Sequence, residues 1–234
     1  MGVACAGLAA ALTACGDDPD KGTNGIGKLS AEEIEQRAIQ AAENASSVRL
    51  TGTVISDGTR YDLDVRLGEE GAAGEVSSPG GGFELLRIGE DLYIKADADF
   101  WQSDAVPEEL ETDPARELEG KYLRVARDDP AYEELSTFTR MDVLDTLLTL
   151  EGEREKGDRE EIDGVRTIRV EADGGQGGAL DVSLIGTPYP LRLERGGDAG
   201  VLRLDHWDQE LRLQPPAEEE IVDYGEDMVT STEE

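Results

Sequence analysis

Apolar and polar side chains alternate with a period of two from Val48 to Leu67, and this pattern constrains the fold more than any other stretch of the chain. Val48, Leu50, Gly52 and Val54 alternate with Arg49, Thr51, Thr53 and Ile55; after Ser56-Asp57-Gly58, Tyr61, Leu63, Val65 and Leu67 alternate with Asp62, Asp64 and Arg66. Successive side chains of a strand point to opposite faces, so the pattern describes a hairpin with one face buried and the other wet. The apolar face of such a hairpin needs a cover. Further strands are expected at Phe83–Ile88, Leu92–Ala96 and Tyr122–Ala126, with Gly89-Glu90-Asp91 as a tight turn. Strands resume at Gly164–Glu171, Ala179–Ile185, Leu191–Glu194, Val201–Trp207 and Leu211–Gln214, punctuated by the glycine pairs 174–175, 177–178 and 196–197.

Two helical stretches supply the cover. Ser30 is placed as an N-cap with Glu33 three positions on, a capping box, while Leu29 and Ile34 occupy the positions of a hydrophobic staple. Ile34, Ala38, Ala41, Ala42 and Ala45 follow at helical spacing, mostly alanine, a stripe that can approach a sheet closely. A second block opens at Asp129-Pro130 and carries Leu135, Phe138, Val143, Leu144, Leu147, Leu148 and Leu150, with a break near Thr139-Arg140 and a second cap from Thr139 and Asp142. The order is one helix, about five strands, a helical block, then four or five strands. The connections between strands are too short for crossover helices, so the sheet is antiparallel. The fold class is α+β: one large curved antiparallel sheet with helices packed on one face.

Charge narrows the function. A net charge of −32 argues against nucleic acid as a partner, because phosphate binding needs clustered Lys and Arg, and against electrostatic docking on anionic head groups. The chain has two cysteines, Cys5 and Cys15. Residues 1–14 are apolar, small and uncharged, too short to cross a bilayer as a helix, and fit the hydrophobic region of a signal peptide. Leu12-Thr13-Ala14-Cys15-Gly16 has the form of a lipobox, which marks Cys15 for lipid attachment. No Lys or Arg precedes Lys21, so a basic leader expects a start upstream of Met1. Residues 15–28 are rich in Gly and Asp and read as a flexible tether, 29–223 as the folded domain, and 224–234 as an acidic disordered tail. With Cys5 in the leader and Cys15 acylated, no thiol remains for a disulfide, a metal site or a nucleophile.

Other chemistry is sparse. His206 lies between Asp205 and Asp208, beside Trp207; a lone His makes zinc improbable, and the strand pattern turns Trp207 to the core and His206 to solvent. Asp62 with Asp64, and Asp97 with Asp99, each share a strand face, but the spacing is not that of a calcium loop. No Gly-x-Ser-x-Gly elbow, Walker loop or dinucleotide fingerprint occurs, and the expectation is no enzyme, no cofactor and no metal. Tyr61, Leu63, Val65, Leu67, Leu92, Ile94, Leu180, Val182 and Leu184 line either a ligand cavity or an ordinary packed core.

Several stretches in order carry a resemblance: Leu29–Ile34, Ala45–Gly52, Leu92-Tyr93-Ile94-Lys95 with Trp101, Lys121–Val125, Asp163–Thr167, Tyr189–Leu193, and Trp207 with Leu213-Gln214-Pro215-Pro216. Together they resemble the actinobacterial lipoproteins of the LppX/LprG type, in the wider group that includes the lipoprotein carrier LolA. The resemblance implies a half-barrel with helices on its concave face, enclosing a hydrophobic cavity for acyl chains, and no transferable catalytic residues. The reading that follows is a lipoprotein anchored on the outer face of the cell membrane that binds or carries a lipid or other amphiphile. The alternative is a surface sensor or protein-interaction module with a solid core.

Overall fold

The computed structural model describes residues 19–56, 58–96, 100, 118 and 120–223. The leader, Cys15, Asp97, Asp99, Trp101 and the tail from 224 lie outside the described residues.

Twelve strands form one sheet: β1 (Ser47–Ser56), β2 (Thr59–Gly68), β3 (Gly71–Ser78), β4 (Gly81–Ile88), β5 (Asp91–Ala96), β6 (Tyr122–Val125), β7 (Arg154–Ile162), β8 (Val165–Ala172), β9 (Ala179–Ser183), β10 (Pro190–Glu194), β11 (Gly200–Asp205) and β12 (Ile221–Asp223). The spatial order is β12-β6-β5-β4-β3-β2-β1-β11-β10-β9-β8-β7. Every pairing is antiparallel except β12 on β6, which is parallel. The two edges, β7 and β12, do not pair with each other, so the sheet is an open half-barrel.

Helix α1 (Ala31–Glu43) begins where the capping box places it: Ser30 Oγ accepts from Glu33 N at 3.3 Å and Ser30 N donates to Glu33 Oε2 at 3.0 Å. Its buried stripe of Ile34, Ala38 and Ala42 lies over β8–β10 and against α3 (Val143–Leu148). These side chains join Leu50, Val65, Leu67, Val170, Leu180, Val182, Leu193, Leu202 and Leu204 in the larger of two cores. A second core holds Leu85, Leu92, Ile94, Ala96, Leu123 and Val125 of β4–β6, with Phe100 and Leu118, and is flanked by Tyr132 and Leu135 of α2 (Pro130–Thr137). Both cores lie on the helix-bearing face of the sheet, and each fully buried leucine contributes about 1.5–3 kcal/mol of burial.

Curvature is built in at glycine. Gly52 of β1 has φ 140°, and a Cβ there would stand 2.1 Å from the Val201 carbonyl oxygen, so β1 and β11 approach more closely than a side chain allows.

Four expectations need correction. β3 and β7 are strands that neither propensity nor alternation marked: β3 (GAAGEVSS) is held by full ladders to β2 and β4, and β7 (REKGDREEI) is a charged edge strand with a bulge between Lys156 and Arg159. Leu211–Gln214 alternates like a strand but has no ladder partner. It belongs to an irregular crossing from β11 to β12, and Leu213 Cδ1 lies 2.6 Å from where a Cβ on Gly71 would be. Asp142 stands at the N-cap position of α3 but makes no capping bond: its carboxylate pairs with Arg140 Nε at 3.2 Å, and Thr139 is engaged by Arg87. Residues 19–28, expected to be a flexible tether, are bonded to β7, β8 and β9, and Ile26 is buried in the larger core.

Candidate functional site

The apolar face of β1–β4 is sealed at one end and open at the other. Cross-strand registers place Val48 beside Leu67 and Ala72, then Leu50 beside Val65 and Gly74; Val48, Leu50, Val65, Leu67 and Ala72 are buried beneath the helices. Two and four residues further along β1, the same face carries Gly52, Leu63, Val76 and Phe83, then Val54 and Tyr61. All six are only half-buried. Val54, Leu63 and Val76 pack against the edge of the larger core and Phe83 against the second, so the strip bridges the two. Phe83 meets the Phe100 ring with centroids 5.1 Å apart.

Beside β3–β5 lies an open cavity of about 430 Å³. Its lining joins Val76, Phe83 and Ala96 of the apolar face to Glu75, Ser77, Gly82, Glu84 and Lys95, which the registers turn to the opposite face, and to Gly120. Its volume is in the range of small-ligand sites. Its polar side is partly organised: Lys95 Nζ lies 3.4 Å from Glu84 Oε1 and 5.2 Å from the Tyr122 ring centroid, and Tyr122 donates to Glu84 Oε2 at 3.1 Å. Burial and the Glu84 carboxylate push the Tyr122 phenol upward. Glu75 stands directly across the strand pair from Glu84, a like-charge opposition that leaves negative potential at the mouth.

The residues expected to line a cavity divide differently. Val65, Leu67, Leu180, Val182 and Leu184 are packed in the larger core, and Leu92 and Ile94 in the second. Only Leu63 and Tyr61 belong to the open strip. None of the nine lines the 430 Å³ cavity, and Leu67 alone borders a smaller one of about 170 Å³, with Ser47, Val48, Arg49, Arg66, His206, Gln209, Glu210 and Leu211. The physical reason is that α1 and α3 fill the space over those strands with Ile34, Ala38, Ala42, Leu144 and Leu148.

His206 is exposed in a turn at φ 52°, its Nδ1 2.5 Å from Asp205 Oδ1. Trp207, expected in the core, is half-buried: its ring stacks on Tyr189 with centroids 4.6 Å apart, and its Nε1 donates to the Pro190 carbonyl at 3.2 Å. Asp62 and Asp64 are taken by Arg60 at 2.9 Å and Arg49 at 2.6 Å, which hold both carboxyls below their usual range through hydrogen bonds to the charged form. Among the described residues no group of three or more His, Cys, Asp or Glu could hold a metal, and no helix is long and apolar enough to cross a membrane.

Two buried polar groups escaped sequence reasoning. Glu35 of α1 bonds Arg154 Nε and the backbone N of Leu150, both at 2.8 Å. Asp181 sits in the middle of β9, on the face away from α1, fully buried between Arg192 Nε at 2.7 Å and Arg169 Nη1 at 3.0 Å. Burial raises its carboxyl, opposed by the two guanidiniums. Thr167 Oγ1 and Asp181 Oδ1 are buried without a partner. Arg169 and Arg192 are direct cross-strand neighbours of Asp181, and Arg154 is 119 residues from Glu35, so neither group is signalled by residues near it in the chain.

No protein-family model and no curated protein matches the chain. Solved structures do match. The fold is similar to that of LprF. The Mycobacterium bovis LprF structure superposes with a TM-score of 0.53 at 16% identity, over 80% of this chain and 97% of LprF. The lipoprotein LppX of Mycobacterium tuberculosis aligns with a TM-score of 0.45 at 15% identity, over 79% of this chain and 98% of that one. At such identity the likeness to LprF speaks for the fold, and the half-barrel implied by the LppX/LprG resemblance is met at that level.

Proposed function

We propose that this chain is a non-enzymatic extracytoplasmic lipoprotein, anchored through Cys15 on the outer face of the cell membrane, that binds a lipid or other amphiphile at the open end of its apolar sheet face. The observation that carries the reading is the half-buried apolar strip of Val54, Tyr61, Leu63, Val76 and Phe83 on the helix-bearing face of the sheet. Acyl carbons laid on this strip leave water at about 0.8 kcal/mol per CH₂. The acyl chain is accommodated beyond the helices, since the space between helices and sheet is filled by side chains.

The test uses the soluble domain from residue 19 onward and a fluorescent fatty-acid probe, with organic extraction and mass spectrometry of the purified protein. Saturable probe binding that weakens at least tenfold in Val76→Asp and Phe83→Asp is expected. No recovered lipid together with no probe binding would overturn the amphiphile reading. For the anchor, Cys15→Ser is expected to release the protein into the medium, and unchanged membrane retention would contradict it.

A second reading has its own support. The cores beneath α1 and α3 are filled and the apolar strip is exposed, which also suits a module that docks a protein partner on this face. Full probe resistance with retention of the fold would favour it.

A further inference from the structure

The segment expected to be a free tether makes bonds along its described length. Arg159 of β7 donates through Nη1 to the Pro19 carbonyl and through Nη2 to Asp20 Oδ1, both at 2.7 Å. Arg166 of β8 donates to the Lys21 and Gly22 carbonyls at 3.3 and 3.1 Å. Asn24 Nδ2 donates to the Ser183 and Gly186 carbonyls at 3.0 and 3.1 Å, and Asn24 N to the Leu184 carbonyl at 2.8 Å. Ile26 is buried in the core, and Lys156 Nζ reaches the Leu29 carbonyl at 2.9 Å. From Pro19 onward the chain is therefore part of the folded body.

Covalent geometry then sets a short leash. Four residue steps separate Cys15 from Pro19, a reach of about 14 Å when fully extended. A domain of this size has a radius of gyration of about 17 Å. A body held on a leash shorter than its own radius cannot turn freely, and the end that carries the leash must face the bilayer. At that end is Ile185, one of four large apolar side chains exposed among the described residues, with 43% of its surface open. Its loop is preorganised: Ser183 Oγ donates to the Ile185 carbonyl at 2.8 Å and accepts from Ile185 N at 3.1 Å, and Asn24 bonds the residues on either side.

We propose that residues 19–28 are a strap that fixes the orientation of the fold on its membrane, seating the β8–β9 end against lipid with Ile185 in the head-group region. This rests on the anchor at Cys15 proposed above. The occupant of the surface is the bilayer that holds the anchor. Val201 provides the internal reference: it is 44% exposed and lies at the start of β11, while Ile185 follows the end of β9, and β9 and β11 run in the same direction on either side of β10.

The experiment uses the acylated full chain on phosphatidylcholine vesicles that contain a head-group spin-labelled lipid. A single cysteine is introduced as Ile185→Cys or Val201→Cys and labelled with an environment-sensitive fluorophore; flotation with the vesicles is read separately. Quenching several-fold stronger at 185 than at 201 is expected. A flexible insert of about twelve Gly and Ser residues after Asp18 should abolish the difference without affecting flotation. Flotation with equal quenching at the two positions overturns the strap while leaving the anchor standing. So does a difference that survives the insert. Failure of the acylated protein to float removes the anchor reading, and the strap falls with it.

Discussion

Arg87 and Thr139 are joined by two hydrogen bonds across 52 residues of chain: the guanidinium Nε donates to Thr139 Oγ1 at 2.9 Å and Nη2 to the Thr139 carbonyl at 2.8 Å. Arg87 lies on the apolar face of β4, and Thr139 at the corner between α2 and α3, so the pair ties the helical block to the sheet between the two cores. Burial pulls the guanidinium below its usual value, and among the described residues no carboxylate is bonded to it. Its remaining bond is to the Gly89 carbonyl at 2.8 Å.

Removing this tie should be costly. Arg87→Ala is expected to lower the unfolding free energy of the soluble domain by about 2–4 kcal/mol, because buried acceptors lose their donors. Thr139→Val keeps the carbonyl bond and should cost about 1 kcal/mol. Arg87→Lys should not restore the wild-type value, since an ammonium cannot span both acceptors. Urea unfolding measures all three; a loss below 0.5 kcal/mol for Arg87→Ala, on the order of a surface substitution, contradicts the role.

Glu35 and Arg154 form a second buried tie, with 6% and 20% of their side chains exposed. Glu35→Ala should destabilise by about 2–4 kcal/mol, because Arg154 loses its counter-charge, keeping only the Gly152 and Leu150 carbonyls, and the Leu150 N–H loses its acceptor. A double-mutant cycle with Arg154→Ala should return a coupling of 1 kcal/mol or more, on the scale of contacting residues. Additive losses would show that the two side chains act separately.

Tyr189 gives a spectroscopic prediction. Burial, and then the Asp208 carboxylate that accepts its hydroxyl proton, push its phenol up to about 12. The folded value lies above the ordinary value of about 10, so its contribution to stability is complete below pH 10 and is lost as the pH rises from 10 to 12. Of the six tyrosines, Tyr122 and Tyr189 are both pushed upward; Tyr189 should give a phase near pH 12 in a 295 nm absorbance titration, and Tyr189→Phe should remove that phase. Retention of the phase in the variant would assign it elsewhere.

Salt should stabilise the fold. With a net charge of −32, long-range repulsion acts across the whole body, while exposed pairs such as Arg49–Asp64 contribute only about 0–1 kcal/mol each. Raising NaCl from 10 mM to 1 M shortens the screening length from about 30 Å to about 3 Å, which removes the repulsion first. The melting temperature is expected to rise by several degrees. A fall would show that the ion pairs on the outer face outweigh the net charge.

Much of the fold was legible because its signals are local. Helix α1 starts as read, since a capping box is closed by residues three apart. The hairpin of β1 and β2 follows from twenty residues of alternation. What was not legible came from pairing at a distance. β3 has almost no strand propensity and is a strand because β2 and β4 flank it; β12 is one because it meets β6. Leu211–Gln214 has the pattern without a neighbour and forms no ladder. At the candidate site, the sequence marked an apolar sheet face correctly, yet Leu67 and Leu63, four residues apart on it, differ in exposure because Leu67 is enclosed in the larger core and Leu63 packs only against its margin.

The sequence by itself determined which side chains alternate, where helix α1 begins, the net charge of −32, and the Cys15 motif on which the anchor reading stands. Only the tertiary structure decided that seven of the nine cavity candidates are packed, that the open end of the face lies at Val76 and Phe83, and that residues 19–28 are bound to β7–β9. The reason is physical. Caps and periodicities are settled between residues within one or two turns of chain, whereas burial, vacant space and a hydrogen-bonded strap depend on which distant segments arrive to cover or bind them.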